Sequence, residues 1–477
     1  MKLKKILAVA MTCVLAFSFI GCGSKKGSDA DTTPTTGASG DDSAAVTGEA
    51  DGSWSYSSIK LGEDYTDLTA TIKWIHHRTD RDSNAGGDGK LQEYIAKFNE
   101  LYPNITVETE GVTDYANESL LRLSTGDWGD IMMIPAVDKG DFATYFLPYG
   151  TSDEISAIVN YTTDKTYDGK VYGIPYMAGA NGIVYNKAVF EAAGITTIPT
   201  TPDEFIAALK QVKEKTDAIP LYTNYFAQWT MGAWDAYMGA VSTGDFAWYN
   251  QELPHTAAPF ADPGDGTGAY NVFKVLYDAV ANDLIEDDYT TTDWEGSKGM
   301  INRGEIATMV LGSWAYSQMQ AAGDNPDDIG YMPFPITING KQYAVAAPDY
   351  NFGINVNSSE DNQIASTIFV KWMTEESGWS YNEGGLPIDK DGQLPDLYQA
   401  FANCEMKEQD PAIAGEETLL NDLNAESELN INNGGNDKVM KIIENADTGA
   451  KSFDDLMGEW NKAWSDAQTA LGVEVKY

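Results

Sequence analysis

The segment 167–195 constrains the fold most, because its residue pattern changes from that of strands to that of a helix. Residues 171–174 alternate apolar and small side chains and residues 182–185 form a second β-rich run, so two short strands are predicted. From Lys187 the apolar residues recur at helical spacing, and Gly194 is placed to end the helix in a left-handed turn. We therefore predict a strand pair that leads directly into a short helix.

The region before this segment also alternates between strand and helix patterns. Periodicity predicts strands at 69–75, 105–107 and 130–134, and helices at 91–101 and 115–124. Such alternation favours a largely parallel α/β sheet. Ligands of these sheets bind at the carboxyl ends of strands, which points to the loop after Ile75 and the turn at 126–130.

Several motifs carry a family resemblance. YGIPY, then a short glycine-containing gap, then YNKAVFEAAGI resembles the signature of extracellular solute-binding proteins, family 1, of sugar-type ABC importers. FNELYPNITVE, TGDWGDIMMIP, the Gly312-Ser313-Trp314 run, IGYMPFP, NFGIN and GGLP resemble further landmarks of the family, in the expected order. The resemblance extends from about residue 70 to Gly472.

The resemblance implies a fold and its division. The expected fold is α/β and two-lobed, of the periplasmic-binding-protein-like kind (type II-like, in the cluster of sugar binders), with a ligand cleft between lobes joined by hinge crossings. The solute-binding body is expected at 59–477. Its first lobe is expected at about 59–178 plus 318–370, and its second at about 179–317 plus 371–477.

The N-terminal region has the features of an exported lipoprotein. Residues 1–21 combine three early lysines with an apolar run, a pattern typical of a signal peptide. The sequence Phe19-Ile20-Gly21-Cys22 resembles a bacterial lipobox, with Phe19 in place of the usual leucine, which makes Cys22 the expected lipidation (palmitate) site. Residues 22–58 lack large aliphatic side chains apart from Val46 and are expected to form a flexible tether. The expected location is the outer face of the bacterial cytoplasmic membrane.

Charge and cysteine content narrow the function classes. The chain has 31 basic and 72 acidic residues and a net charge of −41, which argues against nucleic acid and anionic lipid surfaces as partners. Cys404 is the only cysteine after the proposed lipidation site, so no intramolecular disulfide is expected in the mature chain. Contact with the membrane is expected only through the lipid anchor.

A saccharide site needs aromatic platforms for the C–H faces of the sugar and fixed polar groups for its hydroxyls. The aromatic candidates are Trp229, Trp234, Trp314 and Tyr350, and the polar candidates are His77, Arg78, Asp130, Asn181 and Asn351. A place in the core is the alternative for each tryptophan. A cap or turn role is the alternative for Asp130 and Asn181, and a surface charge for Arg78.

Enzymatic and metal sites are less well supported. The chain has three histidines and lacks HExxH, paired CxxC, GxSxG and Walker-type motifs, so neither catalysis nor a cofactor is expected, although counting carboxylates does not exclude glycoside hydrolysis. Asp82, Asn84 and Glu93 occupy EF-hand positions of a possible calcium loop. Gly86 and Lys90 depart from that pattern, and a flexible loop is the alternative.

The expected function is therefore binding. The protein is expected to capture a carbohydrate, an oligosaccharide in particular, outside the cell and deliver it as a monomer to permease subunits driven by a cytoplasmic ATPase. The alternatives are a binding protein that signals to a membrane receptor, a binder of a non-sugar solute, and, least favoured, a carbohydrate-active enzyme.

Overall fold

Residues 54–431 and 437–477 are described by the structure, which is a computed structural model. The predicted signal peptide, Cys22 and the predicted tether up to residue 53 lie outside the described residues. Tyr56 falls within the predicted tether, yet it is fully buried and its ring lies 5.7 Å from that of Tyr149. The body therefore begins before residue 59.

The strands are numbered in the order of the chain. They are β1 (Ala70–His76), β2 (Ile105–Gly111), β3 (Ile131–Met133), β4 (Gly150–Thr151), β5 (Thr166–Tyr167), β6 (Lys170–Val171), β7 (Ile174–Asn186), β8 (Ile219–Leu221), β9 (Ile306–Gly312), β10 (Ile329–Met332), β11 (Gln342–Ile354) and β12 (Cys404–Lys407).

The α-helices of the first half of the chain are α1 (Lys90–Leu101), α2 (Tyr115–Thr125), α3 (Phe142–Tyr145), α4 (Ser152–Ser156), α5 (Lys187–Ala193), α6 (Pro202–Lys215), α7 (Trp229–Gly232) and α8 (Ala240–Thr243). Those of the second half are α9 (Gly268–Ala281), α10 (Trp294–Asn302), α11 (Trp314–Ala321), α12 (Glu360–Glu375), α13 (Trp379–Asn382), α14 (Leu419–Ser427), α15 (Asp437–Thr448) and α16 (Phe453–Leu471). Among the described helices, none is both long and apolar enough to cross a membrane.

Of the strand pair predicted at 171–174 and 182–185, residue 171 ends β6, whereas residue 174 and residues 182–185 lie in one long strand, β7. β7 runs without interruption through Pro175 and the small residues 178–182, because its first part pairs with β11 and its second part with β9 and β10. The helix that follows agrees with the prediction: Asn186 caps its start, and Gly194 ends it at a φ of 79°, a conformation that favours glycine.

The main sheet is mixed, so the expectation of a largely parallel sheet is wrong. Its strand order is β2-β1-β3-β11-β7-β9-β8, with β10 paired to β7 and β12 to β11. The β1–β2, β1–β3 and β8–β9 pairs are parallel, as predicted for alternating strands and helices. The centre is antiparallel because β11 returns between β3 and β7 and runs against both.

Two apolar clusters form the core of this two-lobed α/β fold. The first contains Trp74, Phe98 and Phe352, and the second contains Trp234 and Trp464. Long strands β7 and β11 contribute residues to both clusters. They therefore cross between the lobes.

The C-terminal part divides between the clusters differently from the predicted lobe limits. Residues 371–401 were expected in the second lobe. Trp379 packs instead in the first cluster, with its ring 5.0 Å from Tyr94 and 5.3 Å from Tyr176. The chain contributes to the second cluster again from Leu423 onward.

Candidate functional site

A cavity of about 590 Å³ opens where the two lobes meet. The loop after β1, the start of α2, and β7 and β11 form one wall, and α7, α10 and α11 form the other. The lining residues are His77, Arg78, Thr113, Asp114, Tyr115, Ala116, Met177, Trp229, Trp294, Trp314, Ser317, Gln318, Asp349, Tyr350 and Glu383.

Three indoles form one wall of the cavity, and we call Trp229, Trp294 and Trp314 the tryptophan cluster. The Trp229 ring lies 5.1 Å from Trp294 and 5.6 Å from Trp314, and the latter two are 5.8 Å apart. Trp229 is 43% exposed, so it presents an aromatic face to the cavity. An apolar face of this kind suits the C–H surface of a sugar ring.

The Gly-Ser-Trp run positions Trp314. A Cβ atom on Gly312 would lie 2.5 Å from Trp314 Nε1, so only glycine allows the indole this close to the end of β9. The next residue, Ser313, accepts hydrogen bonds from Ala180 N at 3.1 Å and Tyr398 Oη at 2.8 Å. The motif therefore attaches the start of α11 to β7.

Aromatic rings also line the opposite wall. His77 lies 4.5 Å from Tyr350 in a tilted arrangement, and Tyr115 meets Tyr350 edge-on at 5.5 Å. Tyr115 is fixed through its hydroxyl, which donates to Met133 O at 2.7 Å. Burial raises the pKa of Tyr115 well above its ordinary value, so this hydroxyl stays protonated.

His77 has hydrogen-bonding capacity that the described residues of the protein do not use. Its Nε2 lies 3.3 Å from Asp349 Oδ2, but neither ring nitrogen forms a hydrogen bond of good geometry with a described residue. A buried polar group without a partner costs free energy. Hydroxyl groups of a ligand can satisfy it.

Arg78 is the centre of a partly buried polar network. Its guanidinium donates to both carboxylate oxygens of Asp80 at 2.8 Å, to Glu383 Oε2 at 2.7 Å and to Tyr176 Oη at 3.1 Å. Burial alone would lower the pKa of Arg78, but Tyr176, Asp80 and Glu383 outweigh it and raise the pKa. Glu383 also accepts from Arg81 Nε at 3.1 Å, so the network fixes this edge of the cavity.

The structure brings five of the predicted site residues together at the cavity. They are His77, Arg78, Trp229, Trp314 and Tyr350. They come from the loop after β1, from α7 and α11, and from β11. The loop after Ile75, expected to face the ligand, supplies two of them.

The other four predicted site residues lie outside the cavity lining. Trp234 is 2% exposed and packs edge-on against Phe334 in the second cluster. Asp130 accepts from Lys73 N at 2.9 Å and Ser358 Oγ at 2.6 Å, so its role is to join β1 to the segment before α12.

Asn181 and Asn351 lie within long strands. Asn181 is paired with Gly312 between β7 and β9, and Asn351 is 2% exposed and paired with Pro175. Both were expected in loops next to strand ends. The continuity of β7 and β11 places both asparagines inside the sheet. Ligand contact by either asparagine stays a prediction, and neither belongs to the site that we propose.

The possible calcium loop has other partners for its acids. Asp82 is buried and accepts from Asn84 N at 2.8 Å and Gln92 Nε2 at 2.7 Å, and it lies 3.1 Å from His76 Nε2. Burial lowers the pKa of His76 to about 4, so this ring is neutral at pH 7. Glu93 is exposed on α1, and the described residues contain no group of three His, Cys, Asp or Glu side chains able to hold a metal.

Sequence reasoning missed several lining residues. Trp294 stands two residues before the run from Gly296 in which the Gly-Ser-Trp motif was recognised, and Asp349 directly precedes Tyr350. Glu383 directly precedes the Gly-Gly-Leu-Pro landmark, which was a usable signal. Tyr115 and Gln318 fit their helix patterns, so nothing in the sequence separated them from packing residues.

The two-lobed fold and the cavity at its lobe junction define a binding protein for a small solute. The profile of the bacterial extracellular solute-binding protein family matches residues 82–378, and the chain belongs to this family. The chain is 25% identical over 341 residues to the multiple sugar-binding protein of Streptococcus mutans, which covers 68% of this chain and 76% of that protein.

Two solved structures are similar over most of the chain. One is a manno-oligosaccharide specific solute-binding protein of Bifidobacterium animalis subsp. lactis in complex with mannotriose, with 49% identity and a TM-score of 0.82. The other is a binding protein of an ABC transporter from the same organism in complex with mannobiose, with 50% identity and a TM-score of 0.82. Each alignment covers 87% of this chain and 99% of the other. These relatives are binding proteins, and the family is extracellular.

Proposed function

We propose that this protein is the extracellular substrate-binding component of an ABC importer and that its ligand is a short manno-oligosaccharide. The observation that carries the proposal is the tryptophan cluster, which faces an aromatic wall of His77 and Tyr350 across one cavity. The identity of 49% and 50%, over 87% of this chain, to two binding proteins solved with mannotriose and mannobiose supports the choice of sugar.

The cavity has the chemistry that a sugar requires. Indole rings pack on the apolar faces of pyranose rings, and the polar groups around them bond the hydroxyls. Ser317 and Gln318 project from α11 next to Trp314, and Asp349 adds a carboxylate on the opposite wall. A neutral oligosaccharide can use all of these groups at once.

Delivery requires partners outside this chain. We assign permease subunits as the receivers of the ligand, and the description of one relative as the binding protein of an ABC transporter supports this assignment. The protein acts as a monomer and binds its ligand without chemical change. Cys22 carries a lipid that anchors it to the outer face of the cytoplasmic membrane, and residues before it are removed as a signal peptide.

Calorimetric titration and thermal unfolding with mannobiose and mannotriose test the ligand. A ligand at 100 times its Kd stabilises the folded state by about 2.7 kcal/mol. We expect both sugars to bind, with maltotriose and raffinose much weaker, and no shorter saccharide to be released during incubation. Absence of binding by folded protein to both mannosides would refute the assignment of the sugar, and release of mannose would refute a purely binding role.

Membrane fractionation tests the anchor. Cells that express the full chain are expected to retain it in the membrane fraction and to label it with palmitate, whereas Cys22→Ser is expected to lose both the label and the retention. Cys404→Ser is the matched control, since Cys404 lies in the folded body. Labelling of Cys22→Ser would contradict the assignment.

A further inference from the structure

The turn that leads into Trp229 is strained, and we call residues 224–228 the platform turn. Asn224 has a φ of 57° and a ψ of 29°, and Gln228 has a φ of 59° and a ψ of −58°. The conformation of Gln228 lies outside the left-handed helical region and is one that residues with a Cβ rarely adopt. Strain of this kind costs roughly 1–3 kcal/mol and persists only where surrounding contacts maintain it.

A buried carboxylate holds the start of this turn. Glu286 is 7% exposed, and its Oε2 accepts a hydrogen bond of 2.9 Å from Thr223 N, while its Oε1 accepts from Thr223 Oγ1. The Thr223 hydroxyl in turn accepts from Tyr225 N at 3.2 Å. The contact therefore reaches from Glu286 through Thr223 into the platform turn.

A second contact joins the platform turn to the segment before Trp294. Phe226 N donates to Thr292 Oγ1 at 2.8 Å, and Asp293 N donates to Tyr222 Oη at 2.8 Å. Tyr222 before the turn and Phe226 within it are thus both hydrogen-bonded to residues that directly precede Trp294. The rings of Trp229 and Trp294 lie 5.1 Å apart.

We propose that Glu286 is a positioning residue of the sugar site, which holds the platform turn in its strained form through Thr223 and so presents Trp229 to the ligand. Glu286 itself does not line the cavity. The test of this proposal by mannotriose affinity rests on the proposed function, whereas the test by circular dichroism needs no ligand.

The test compares Thr223→Val, Thr223→Ser and Glu286→Ala in the full chain. Valine keeps the shape of threonine but removes the hydroxyl, and serine keeps the hydroxyl. We expect Thr223→Val and Glu286→Ala to weaken mannotriose binding by about tenfold or more, equivalent to roughly 1.4 kcal/mol, and to change the near-ultraviolet circular dichroism of the coupled indoles. Thr223→Ser is expected to behave like the wild type.

Glu408→Gln is the matched control. Glu408 is a partly buried carboxylate that also accepts from a threonine backbone N–H, that of Thr163 at 2.9 Å, but it lines a different cavity. We expect its substitution to leave mannotriose affinity and the indole spectrum unchanged. A change equal to that of Thr223→Val would mean that the assay reports general loosening of the fold and would overturn the proposal.

The outcomes separate the two proposals. If the wild type binds no mannoside, the proposed function fails. The indole spectrum of ligand-free Thr223→Val then decides whether Glu286 holds the platform turn through Thr223. If the wild type binds, unchanged mannotriose affinity in folded Thr223→Val overturns the positioning role, even where its melting temperature falls. Should Glu286→Ala not fold, Thr223→Val alone decides, because it leaves the carboxylate in place.

Discussion

Glu383 Oε2 accepts a hydrogen bond of 2.7 Å from Arg78 Nη2, across 305 residues of sequence. The bond joins the loop after β1 to the end of α13, and both residues line the cavity. The side chain of Glu383 is 4% exposed and that of Arg78 is 14% exposed, so this ion pair is largely shielded from solvent. One edge of the site therefore depends on two segments that are distant in the chain.

We expect Glu383→Ala to destabilise the protein by about 1.5–3 kcal/mol, because Arg78 and Arg81 each lose a buried, charged hydrogen-bond acceptor, although Asp80 still pairs with Arg78. Chemical denaturation measures the change in free energy of unfolding. The control is Glu305→Ala, which breaks an exposed pair with Arg303 and is expected to change stability little. Equal effects of the two substitutions would contradict the importance of burial.

We expect Trp229→Ala to weaken mannotriose binding by about 2 kcal/mol or more, on the order of 30-fold, because it removes an aromatic platform from the cavity. The indole is 43% exposed, so the melting temperature should change little. Tyr167→Ala is the control, since this aromatic ring is also exposed, at 37%, and is not part of the cavity lining. Calorimetric titration measures both; a similar loss in Tyr167→Ala would argue against the stacking role.

Stability is expected to fall between about pH 4.5 and pH 7 through Glu408. Burial raises its pKa to about 7, and neighbouring Asp164 acts in the same direction, while hydrogen bonding with Thr163 acts against both. The folded state thus keeps a proton on Glu408 that the unfolded chain loses near the ordinary pKa of a glutamate. The resulting stabilisation is complete below that ordinary pKa and is lost as the pH rises through 7. The cation near Glu408 is Lys139, which lines the same cavity as Glu408.

Glu408→Gln is expected to reduce the difference in free energy of unfolding between pH 5 and pH 8 by about 1–2 kcal/mol. Denaturant titrations at the two pH values measure this difference. Glu286, whose pKa burial also raises to about 7, supplies part of the remaining dependence. If the free energy of unfolding differed between pH 5 and pH 8 as much in the variant as in the wild type, the raised pKa of Glu408 would be contradicted.

The cavity is expected to discriminate against acidic sugars. Asp114, Asp349 and Glu383 line it, and its single arginine already binds Asp80 and Glu383. A uronate in place of a neutral mannosyl unit should bind at least about tenfold more weakly, because the like charges repel. Titration of neutral and oxidised mannotriose measures the ratio, and Asp349→Asn should reduce it. Equal affinity for both sugars would rule out this electrostatic selection.

Motifs of the sequence predicted the part of the site that depends on local structure. Trp314 was predicted because its Gly-Ser-Trp run resembles a family landmark, and in the structure a strand that leads through Gly312 and Ser313 into a helix fixes its place at the cavity. The helix at Lys187 and its end at Gly194 were likewise predictable, since spacing and a left-handed turn are properties of a few neighbouring residues.

Contacts between distant segments determined the rest. Trp229 and Trp234 are five residues apart in one aromatic-rich segment, yet one faces the cavity and the other packs in the core. Their environments depend on α10 and on Phe334, which no local pattern reveals. The mixed sheet was missed for the same reason, because the position of β11 between β3 and β7 is decided by pairing across more than 150 residues.

The central place of β11 also affects how the protein forms. β3 and the first part of β7 are not neighbours; each pairs with β11, whose residues 342–354 are synthesised much later. The sheet of the first lobe therefore stays divided until those residues are available, and α12 and Trp379 must then pack onto it. Closing such long loops slows folding. During synthesis the N-terminal lobe is therefore completed only after most of the second lobe has been made.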